Sequence, residues 1–176
     1  MKFFITSLLV VFTFLGNAQS LNLTKVVVVG QQDKTEDKYS LELAVMQTLE
    51  KNGIQGKASL GILKQGEHEI HLADKSYQEQ LSKEGFDTYL LISVRGYDKK
   101  FLPASKIVPL REELDAGHMF SFYRESASNV SFTITFYRDG QAVLTDLIRV
   151  RSGNSRESVL KKLSKALDKK IKKKWN

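Results

Sequence analysis

The stretch VVVVGQQDKTEDKYSLE, residues 26–42, decides the fold, because a valine run, one glycine and a polar loop lead directly into a helical pattern. Four β-branched residues in a row favour a strand buried on both faces. A phosphate-binding loop at this place would need three glycines in G-x-G-x-x-G, or a second glycine before Lys and Ser or Thr. Gly30 stands alone. The stretch therefore predicts a strand turning into a helix, with Asp33 as the cap and Glu36 completing a capping box.

A helix is predicted over about residues 35–52, and its core-facing residues recur at spacings of three and four positions. These residues are Leu41, Ala44, Val45, Thr48 and Leu49. Glu42, Glu50 and Lys51 are expected to point away from that face. A second strand is predicted in IQGKASLGIL, residues 54–63, so that strand, helix and strand form a right-handed crossover unit.

The middle of the chain is less regular. Residues 64–85 predict a loop or hairpin and then a helix that Ser76 would cap together with Glu79. Residues 86–98 alternate as a strand, with one wholly apolar side toward the core. Residues 99–126 hold both prolines of the chain and are interpreted as an excursion from the sheet.

The last third of the chain predicts a β-hairpin and a closing helix. Alternating residues 130–136 and a returning strand over 143–150 flank Asp139 and Gly140, a strong two-residue turn signal. One side of the hairpin is apolar and the other carries hydroxyl groups, as expected where one face is wetted. The helix is predicted over about residues 155–174. Its apolar stripe consists of Leu160, Leu163, Leu167 and Ile171, and Trp175 follows.

This order of elements predicts an α/β (α+β) fold, a layered sandwich whose mixed sheet has a βαβαβ half followed by a β-hairpin and a C-terminal helix. With LEKNGIQ at residues 49–55 and FDTYLLISV at 86–94, the chain resembles the small periplasmic α/β modules of Gram-negative envelopes. The TolB amino-terminal domain and the curli-export lipoprotein family are examples. The resemblance implies a scaffold or adaptor in the cell envelope, and no functional residue is carried over from it. The lipid-bearing cysteine of the lipoproteins is missing.

The first 20 residues, MKFFITSLLVVFTFLGNAQS, have the layout of a secretory signal peptide, with cleavage expected after Ala18. The apolar run is about 13 residues, shorter than the roughly 20 that span a bilayer as a helix. An uncleaved anchor is the alternative. We expect residues 1–18 to be removed, and residues 19–176 to form one soluble domain in the periplasm or outside the cell. Without cysteine, the domain has no disulfides and depends on its apolar core.

Positive charge is concentrated in the closing helix. From residue 155 onward nine basic residues face two acidic ones, a net charge of +7, whereas residues 19–154 are nearly balanced. Such a helix would bind an anionic membrane surface weakly, or it would pack on the core with lysines keeping its outer face soluble. Export makes nucleic acid an unexpected partner. The residues predicted for anionic-surface binding are Lys165, Lys169, Lys170, Lys172, Lys173, Lys174 and Trp175.

Catalytic or metal-binding patterns are weak. The cluster GEHEIHL, residues 66–72, offers His68 and His71 as the candidate metal ligands, but histidines three apart diverge on a strand, so a solvated hairpin edge is the competing interpretation. His118 is solitary, and the adjacent pair Glu112 and Glu113 would diverge. We predict no cofactor and no catalytic residue.

The leading hypothesis is a non-enzymatic envelope protein that binds a partner or assists an assembly. The irregular segment 99–126 is the predicted contact surface, because aromatic residues often anchor interfaces. Its aromatic residues are Phe101, Phe120, Phe122 and Tyr123. Ordinary core packing is the alternative for them. A membrane-surface protein and an unrecognised hydrolase or metal-binding protein are the competing functions.

Overall fold

The structure is a computed structural model that describes residues 21–102, 108–117 and 120–175. The elements are β1 (Lys25–Gln31), α1 (Thr35–Lys51), β2 (Gln55–Ala58), α2 (Lys75–Lys83), β3 (Thr88–Tyr97), α3 (Leu110–Ala116), β4 (Asn129–Arg138), β5 (Gln141–Arg151) and α4 (Arg156–Lys170). A π-helical turn, Ile171–Trp175, continues α4, and two 3₁₀ segments, Ser59–Gly61 and Glu69–Ala73, lie between β2 and α2. The predicted signal peptide, His118 and part of the 99–126 segment fall outside the described residues. In the described ranges, no helix combines the length and hydrophobicity of a bilayer-spanning segment.

The five strands form one open mixed sheet in the order β2-β1-β3-β4-β5. β1 pairs in parallel with both β2 and β3, whereas β3–β4 and β4–β5 are antiparallel. The chain thus passes from β1 through α1 to β2 on one side of β1, and then through α2 to β3 on the other side of β1. The predicted α/β fold with a mixed sheet is confirmed.

Two apolar cores cover the two faces of the sheet. In β1, Val26 and Val28 join the core beneath α1 and α4, while Val27 and Val29 join the core beneath α2 and α3. All four valines are fully buried, which confirms the strand predicted to be covered on both sides. The layers are therefore helices, sheet and helices.

Gly30 is explained by the close approach of α1 to the end of β1. A Cβ atom at this position would lie 3.2 Å from Cγ of Glu42 and 3.5 Å from the Lys38 carbonyl oxygen. The backbone N–H of Gly30 donates to Oε1 of Glu42 at 2.9 Å. The glycine thus serves contact between strand and helix, as expected for a strand turning into a helix.

Several local predictions were wrong. Glu42, expected on the outer face of α1, is fully buried because backbone and hydroxyl donors surround its carboxylate. Neither predicted capping box forms, because α1 starts after an extended Lys34, too late for Asp33, and α2 starts at Lys75, one residue before Ser76. Strand β2 ends at Ala58, where Ser59 turns the chain into a 3₁₀ segment.

The predicted hairpin is confirmed, but its hydroxyl-bearing face is less wetted than expected. Asp139 and Gly140 both have positive φ, 49° and 73°, as a tight primed turn requires. Ser131 is fully buried and Thr135 is 7% exposed. A small pocket of about 200 Å³ lies on this face, bordered by α3 and Phe120.

Helix α4 is docked along its length. Its buried residues are Val159, Leu163 and Leu167, followed by Ile171 and Trp175 in the π-helical turn. Leu160, predicted as part of the stripe, is only partly buried at its edge. The Ser155 hydroxyl caps the helix by accepting from the Ser158 N–H at 3.2 Å.

Candidate functional site

A cleft of about 960 Å³ opens where β1 ends and α1 begins. Because β1 lies between its two parallel partners, this is the point where strand order reverses, the usual place for ligands in open α/β sheets. One wall is the end of β1 and the first turns of α1, the second is the segment after β2, and the third is the end of α3. The lining residues are Gln31, Gln32, Asp33, Thr35, Lys38, Leu60, Leu63, Lys64, Gln65, Gly66, Glu67, His68, Glu69, Leu114, Asp115, Ala116 and Gly117.

The buried carboxylate of Glu42 joins two walls of this cleft from beneath. Its oxygens accept from the Gly30 N–H at 2.9 Å, the Ser59 hydroxyl at 2.5 Å and the Leu60 N–H at 3.3 Å. Burial raises the pKa of Glu42, although these hydrogen bonds and the nearby Lys38 act in the opposite direction. One side chain thus holds β1, α1 and the segment after β2 together.

Lys38 extends this network to the lining of the cleft. Its ammonium donates to Oε1 of Glu69 at 2.6 Å and lies 4.0 Å from Oε1 of Glu42. The Lys38 side chain is 7% exposed, so its charge is buried but paired. Such a pair is costly to break because the remaining charge would stay buried without a partner.

Two glutamines connect the end of β1 to the rest of the cleft wall. Gln31 donates through Nε2 to the Glu113 carbonyl at 2.8 Å, which holds α3 against β1. Gln32 donates through Nε2 to the Gln31 carbonyl at 2.6 Å and accepts from the Phe122 N–H at 3.1 Å. Gln31 is 3% exposed, and its Oε1 has no hydrogen-bond partner within the described chain. This orphaned acceptor belongs to a residue that lines the cleft.

The rim of the cleft is acidic. Asp33 and Asp115 are exposed, and the described part of the structure gives neither of them a hydrogen bond or an ion pair. Glu67 accepts from the Tyr77 hydroxyl at 2.6 Å, and this hydrogen bond lowers the pKa of Glu67. Four carboxylates and two ammonium groups line the cleft in all.

The two histidines singled out in the sequence do not converge. They lie on the 3₁₀ segment and its N-cap, not on the predicted hairpin edge, because the chain after β2 coils against α2 and α3. Nδ1 of His68 accepts from the Ile70 N–H at 3.3 Å, and Nδ1 of His71 pairs with Oδ2 of Asp74 at 2.8 Å. Within the described ranges, no three His, Cys, Asp or Glu residues are grouped to hold a metal ion.

The predicted aromatic surface is divided between core and solvent. Phe122 is fully buried, which corrects its assignment to a contact surface, since its backbone and ring are enclosed by the core. Phe120 is half exposed and meets the Tyr97 ring edge-on at 6.1 Å. Phe101 packs over Gly96, and the Tyr123 hydroxyl donates to the Asn154 carbonyl at 3.3 Å. Of the four aromatic residues, Phe120 is the exposed one, and Phe101 and Tyr123 are half-buried.

The residues predicted for anionic-surface binding are likewise divided between buried, paired and exposed positions. Trp175 is fully buried, packed edge-on against Phe136 at 5.0 Å, so its assignment to the anionic-surface-binding residues is wrong. Lys170 and Lys174 bind Asp146, at 2.9 and 3.3 Å, so both ammonium groups are already paired with a carboxylate of the sheet. Lys172 pairs with Asp168, one helical turn earlier, at 2.9 Å. The exposed lysines of α4 and the turn after it that do not contact Asp146 form what we call the lysine face of α4. They are Lys161, Lys162, Lys165, Lys169, Lys172 and Lys173.

No family model matches the chain, and no curated protein is similar to it in sequence. Solved structures with a similar arrangement include lipoprotein GNA1162 from Neisseria meningitidis, with 13% identity over 87% of this chain and 99% of that one, at a TM-score of 0.47. A PelC dodecamer from Paraburkholderia phytofirmans has 12% identity over 86% and 89% of the two chains, with the same TM-score. A protein from Xanthomonas campestris has 10% identity over 84% and 78%, at a TM-score of 0.38. At these identities and TM-scores, the function has to be argued from the residues of this chain.

Proposed function

We propose that this chain is an exported, non-enzymatic binding module of the cell envelope, and that its binding site is the cleft at the end of β1. The single observation that carries the proposal is that some polar groups of the cleft are paired with one another while others are not. Lys38 pairs with both Glu42 and Glu69, and Glu42 accepts from the backbone, which builds rigid walls, while the exposed rim carboxylates of Asp33 and Asp115 have no partner in the described structure. Rigid walls with open polar groups are suited to holding a ligand.

The same geometry argues against catalysis at this site. Within the described residues, the Ser59 hydroxyl contacts the Glu42 carboxylate beside the cleft, which is the contact that a nucleophile and its base would make. Both residues are fully buried, so a substrate would not reach them. His68 uses Nδ1 to accept a backbone N–H and contacts no hydroxyl group in the described structure. Binding without chemistry is the function that this arrangement supports.

A ligand screen by ¹⁵N–¹H NMR on residues 19–176 tests this function. The library contains amines, organic acids, sugars, nucleotides and short peptides. We expect saturable shift changes for at least one class, clustered at cleft residues such as Gln31, Leu63 and Ala116. Shift changes confined to other surfaces, or conversion of any library compound into a product, would contradict the proposal.

Binding to an anionic surface is a second candidate function, supported by the lysine face of α4. Five of its six lysines have no ion pair in the described structure, and Lys172 has one. Lysines near an anionic membrane contribute about 1 kcal/mol each at low salt. With Trp175 and the apolar stripe packed in the core, this contact would be electrostatic and would leave the bilayer interior untouched.

Flotation with vesicles containing one-third anionic lipid tests the second candidate. A variant with Lys165, Lys169 and Lys173 changed to Gln should lose binding at low salt. The matched control changes Lys83, Lys99 and Lys100 to Gln, which removes the same charge from other exposed positions. Equal loss in both variants would mean that net charge alone is responsible, and the lysine face would have no special role.

A further inference from the structure

Strand β5 is the long edge of the sheet. It has 11 residues and comes last in the strand order, whereas β2 at the opposite edge has four. Natural proteins shorten or cover their edge strands, because the outward backbone groups of an edge pair readily with another chain. A long edge whose backbone groups are open is therefore a surface to which an extended protein segment can bind.

The register of the hairpin shows which backbone groups of β5 face outward. The Ser152 N–H donates to the Ser128 carbonyl at 2.8 Å. Because such groups alternate along an antiparallel pair, the even-numbered residues 144–150 bond to β4 and the odd-numbered ones face the free edge. The Leu147 N–H agrees with this alternation, since it donates to Oδ1 of its neighbour Asp146 at 2.9 Å. The outward N–H groups that have no partner within the described residues are those of Arg149 and Arg151.

The C-terminal half of this edge is basic. Arg149 and Arg151 are exposed and form no ion pair within the described residues. The Arg149 guanidinium donates to the Asp98 carbonyl at 2.9 Å, which holds it beside the edge without neutralising its charge. Arg95, two strands inward, is also exposed and has no ion pair in this part of the structure.

The carboxylates nearby are fewer than these arginines. Asp98 uses Oδ1 to accept from the N–H groups of Ser128 and Asn129, both at 2.9 Å. Glu113 lies on α3 next to β1, since its carbonyl accepts from Gln31. An extended segment that carries carboxylates is therefore attracted to the outer edge of β5.

A pocket for one side chain lies beside the same edge. Thr145 of β5 lines the cavity of about 200 Å³, and it shares a face of the strand with the two arginines, because residues two apart point the same way. The half-exposed ring of Phe120 borders the cavity, and Val108 and Ala142 add further apolar surface. When a strand is added to an edge, its backbone supplies affinity and such pockets supply specificity for alternate side chains.

We propose that β5 binds an extended segment of another protein as an added antiparallel strand, with acidic residues opposite Arg149 and Arg151 and an apolar side chain in the pocket beside Thr145. A second copy of this chain is a poorer occupant. Its own arginines and its basic helix α4, which is bound to β5 through Lys170, would be repelled by the same groups here. The inference goes beyond the proposed function, because it assigns a protein partner to a surface other than the cleft.

A ten-residue peptide with blocked ends tests the inference, and it is longer than the peptides of the cleft screen so that it can pair along the edge. Glu occupies two alternate positions, Val and Phe occupy the next two, and Thr lies between them. NMR titration should give saturable shifts at Thr145, Arg149 and Arg151, and the N–H groups of both arginines should exchange more slowly with solvent. The same peptide with N-methyl groups on the pairing amides keeps its charge but should not bind, because it lacks the backbone donors.

Changing both Arg149 and Arg151 to Gln should weaken peptide binding by about three- to tenfold, because each exposed ion pair contributes modestly. The matched control changes Lys165 and Lys169 to Gln, which removes the same charge from the lysine face of α4. Its affinity for the peptide should stay close to that of the wild type.

Three results would overturn the inference: no peptide binding at β5, equal binding of the N-methylated peptide, and equal weakening by the two double variants. If the protein without peptide dimerises and the same arginine N–H groups become protected, the occupant is a second copy and the assignment to an acidic segment fails. Each of these outcomes leaves the cleft proposal standing, because that proposal is tested by the ligand screen.

Discussion

The indole Nε1 of Trp175 donates a hydrogen bond to Oδ2 of Asp146 at 3.3 Å, from the end of the chain to the middle of β5. The same carboxylate accepts from Lys170 and from the Leu147 N–H, both at 2.9 Å. The backbone of Trp175 also takes part, since its carbonyl accepts from the Leu21 N–H at 3.2 Å. The basic end of the protein is therefore fastened to the sheet by one acidic residue and one aromatic ring.

The fluorescence of Trp175 should report this packing, because it is the single tryptophan of the sequence. With the side chain fully buried, we expect emission typical of an apolar environment and weak quenching by iodide. Neither property should change when anionic vesicles are added at low salt. Emission that shifts with vesicles, or quenching as strong as in the urea-unfolded chain, would show that the indole leaves the core.

Replacing Asp146 by Asn should lower the free energy of unfolding by about 1–3 kcal/mol, because Lys170 and the indole lose a charged acceptor. Burial raises the pKa of Asp146, but Lys170, the Leu147 N–H and Lys174 outweigh this and lower it overall. The stabilisation is thus present above the ordinary carboxyl pKa and is lost as pH falls through the lower folded value. Urea unfolding at pH 7 and at pH 3 should show a smaller difference between variant and wild type at the lower pH.

Asp168→Asn is the matched control for Asp146→Asn. Asp168 pairs with Lys172, whose side chain is 57% exposed, and such pairs contribute about 0–1 kcal/mol. It also accepts from Nδ2 of Asn52 at 2.9 Å, and the side-chain oxygen of asparagine can still accept that hydrogen bond. If this substitution costs as much as the change at Asp146, the carboxylate in β5 is not the special anchor described here.

Replacing Glu42 by Gln should change the pH dependence of stability in the opposite sense. Burial raises the folded-state pKa of Glu42, so its contribution is fully present below the unfolded value and is lost as pH rises through the folded value. Relative to the variant, the wild type should gain stability as pH falls from 7 toward 4.5. Other titrating groups are common to both proteins and cancel in the difference. A difference that stays constant across this range would mean that Glu42 titrates normally.

The fold could be predicted from sequence where side chains are sorted by periodicity. Burial or backbone geometry is directly visible in three sequence patterns, and each was predicted correctly. These are the valines of β1, the stripe of α1 and the Asp139-Gly140 turn. The predictions of the helix caps were wrong because a cap depends on where the first helical turn begins, and the possible starting points differ by only one or two residues. The predicted length of β2 was wrong because the strand ends at a turn whose Ser59 hydroxyl donates to Glu42, a residue distant in sequence.

The cleft could not be found from sequence because its residues come together through tertiary contacts. Lys38 and Glu42 are four positions apart on α1, and both lie on its buried side with Leu41 and Val45. This placement of charges within an apolar stripe is the available signal, but the sequence analysis assigns Glu42 to the outer face and makes no prediction for Lys38. Nothing local in the sequence pairs Lys38 with Glu69, which lies 31 residues away.

The central claim is that the cleft at the end of β1 is the binding site of this protein, and a variant that fills it tests the claim most directly. Ala116→Trp adds a large ring at the exposed mouth of the cleft, whereas Lys83→Trp adds the same ring at the exposed end of α2. NMR ligand screens of both variants should show every wild-type ligand lost or strongly weakened with Ala116→Trp and retained with Lys83→Trp. Ligands that bind Ala116→Trp with wild-type affinity would place the site elsewhere and contradict the account.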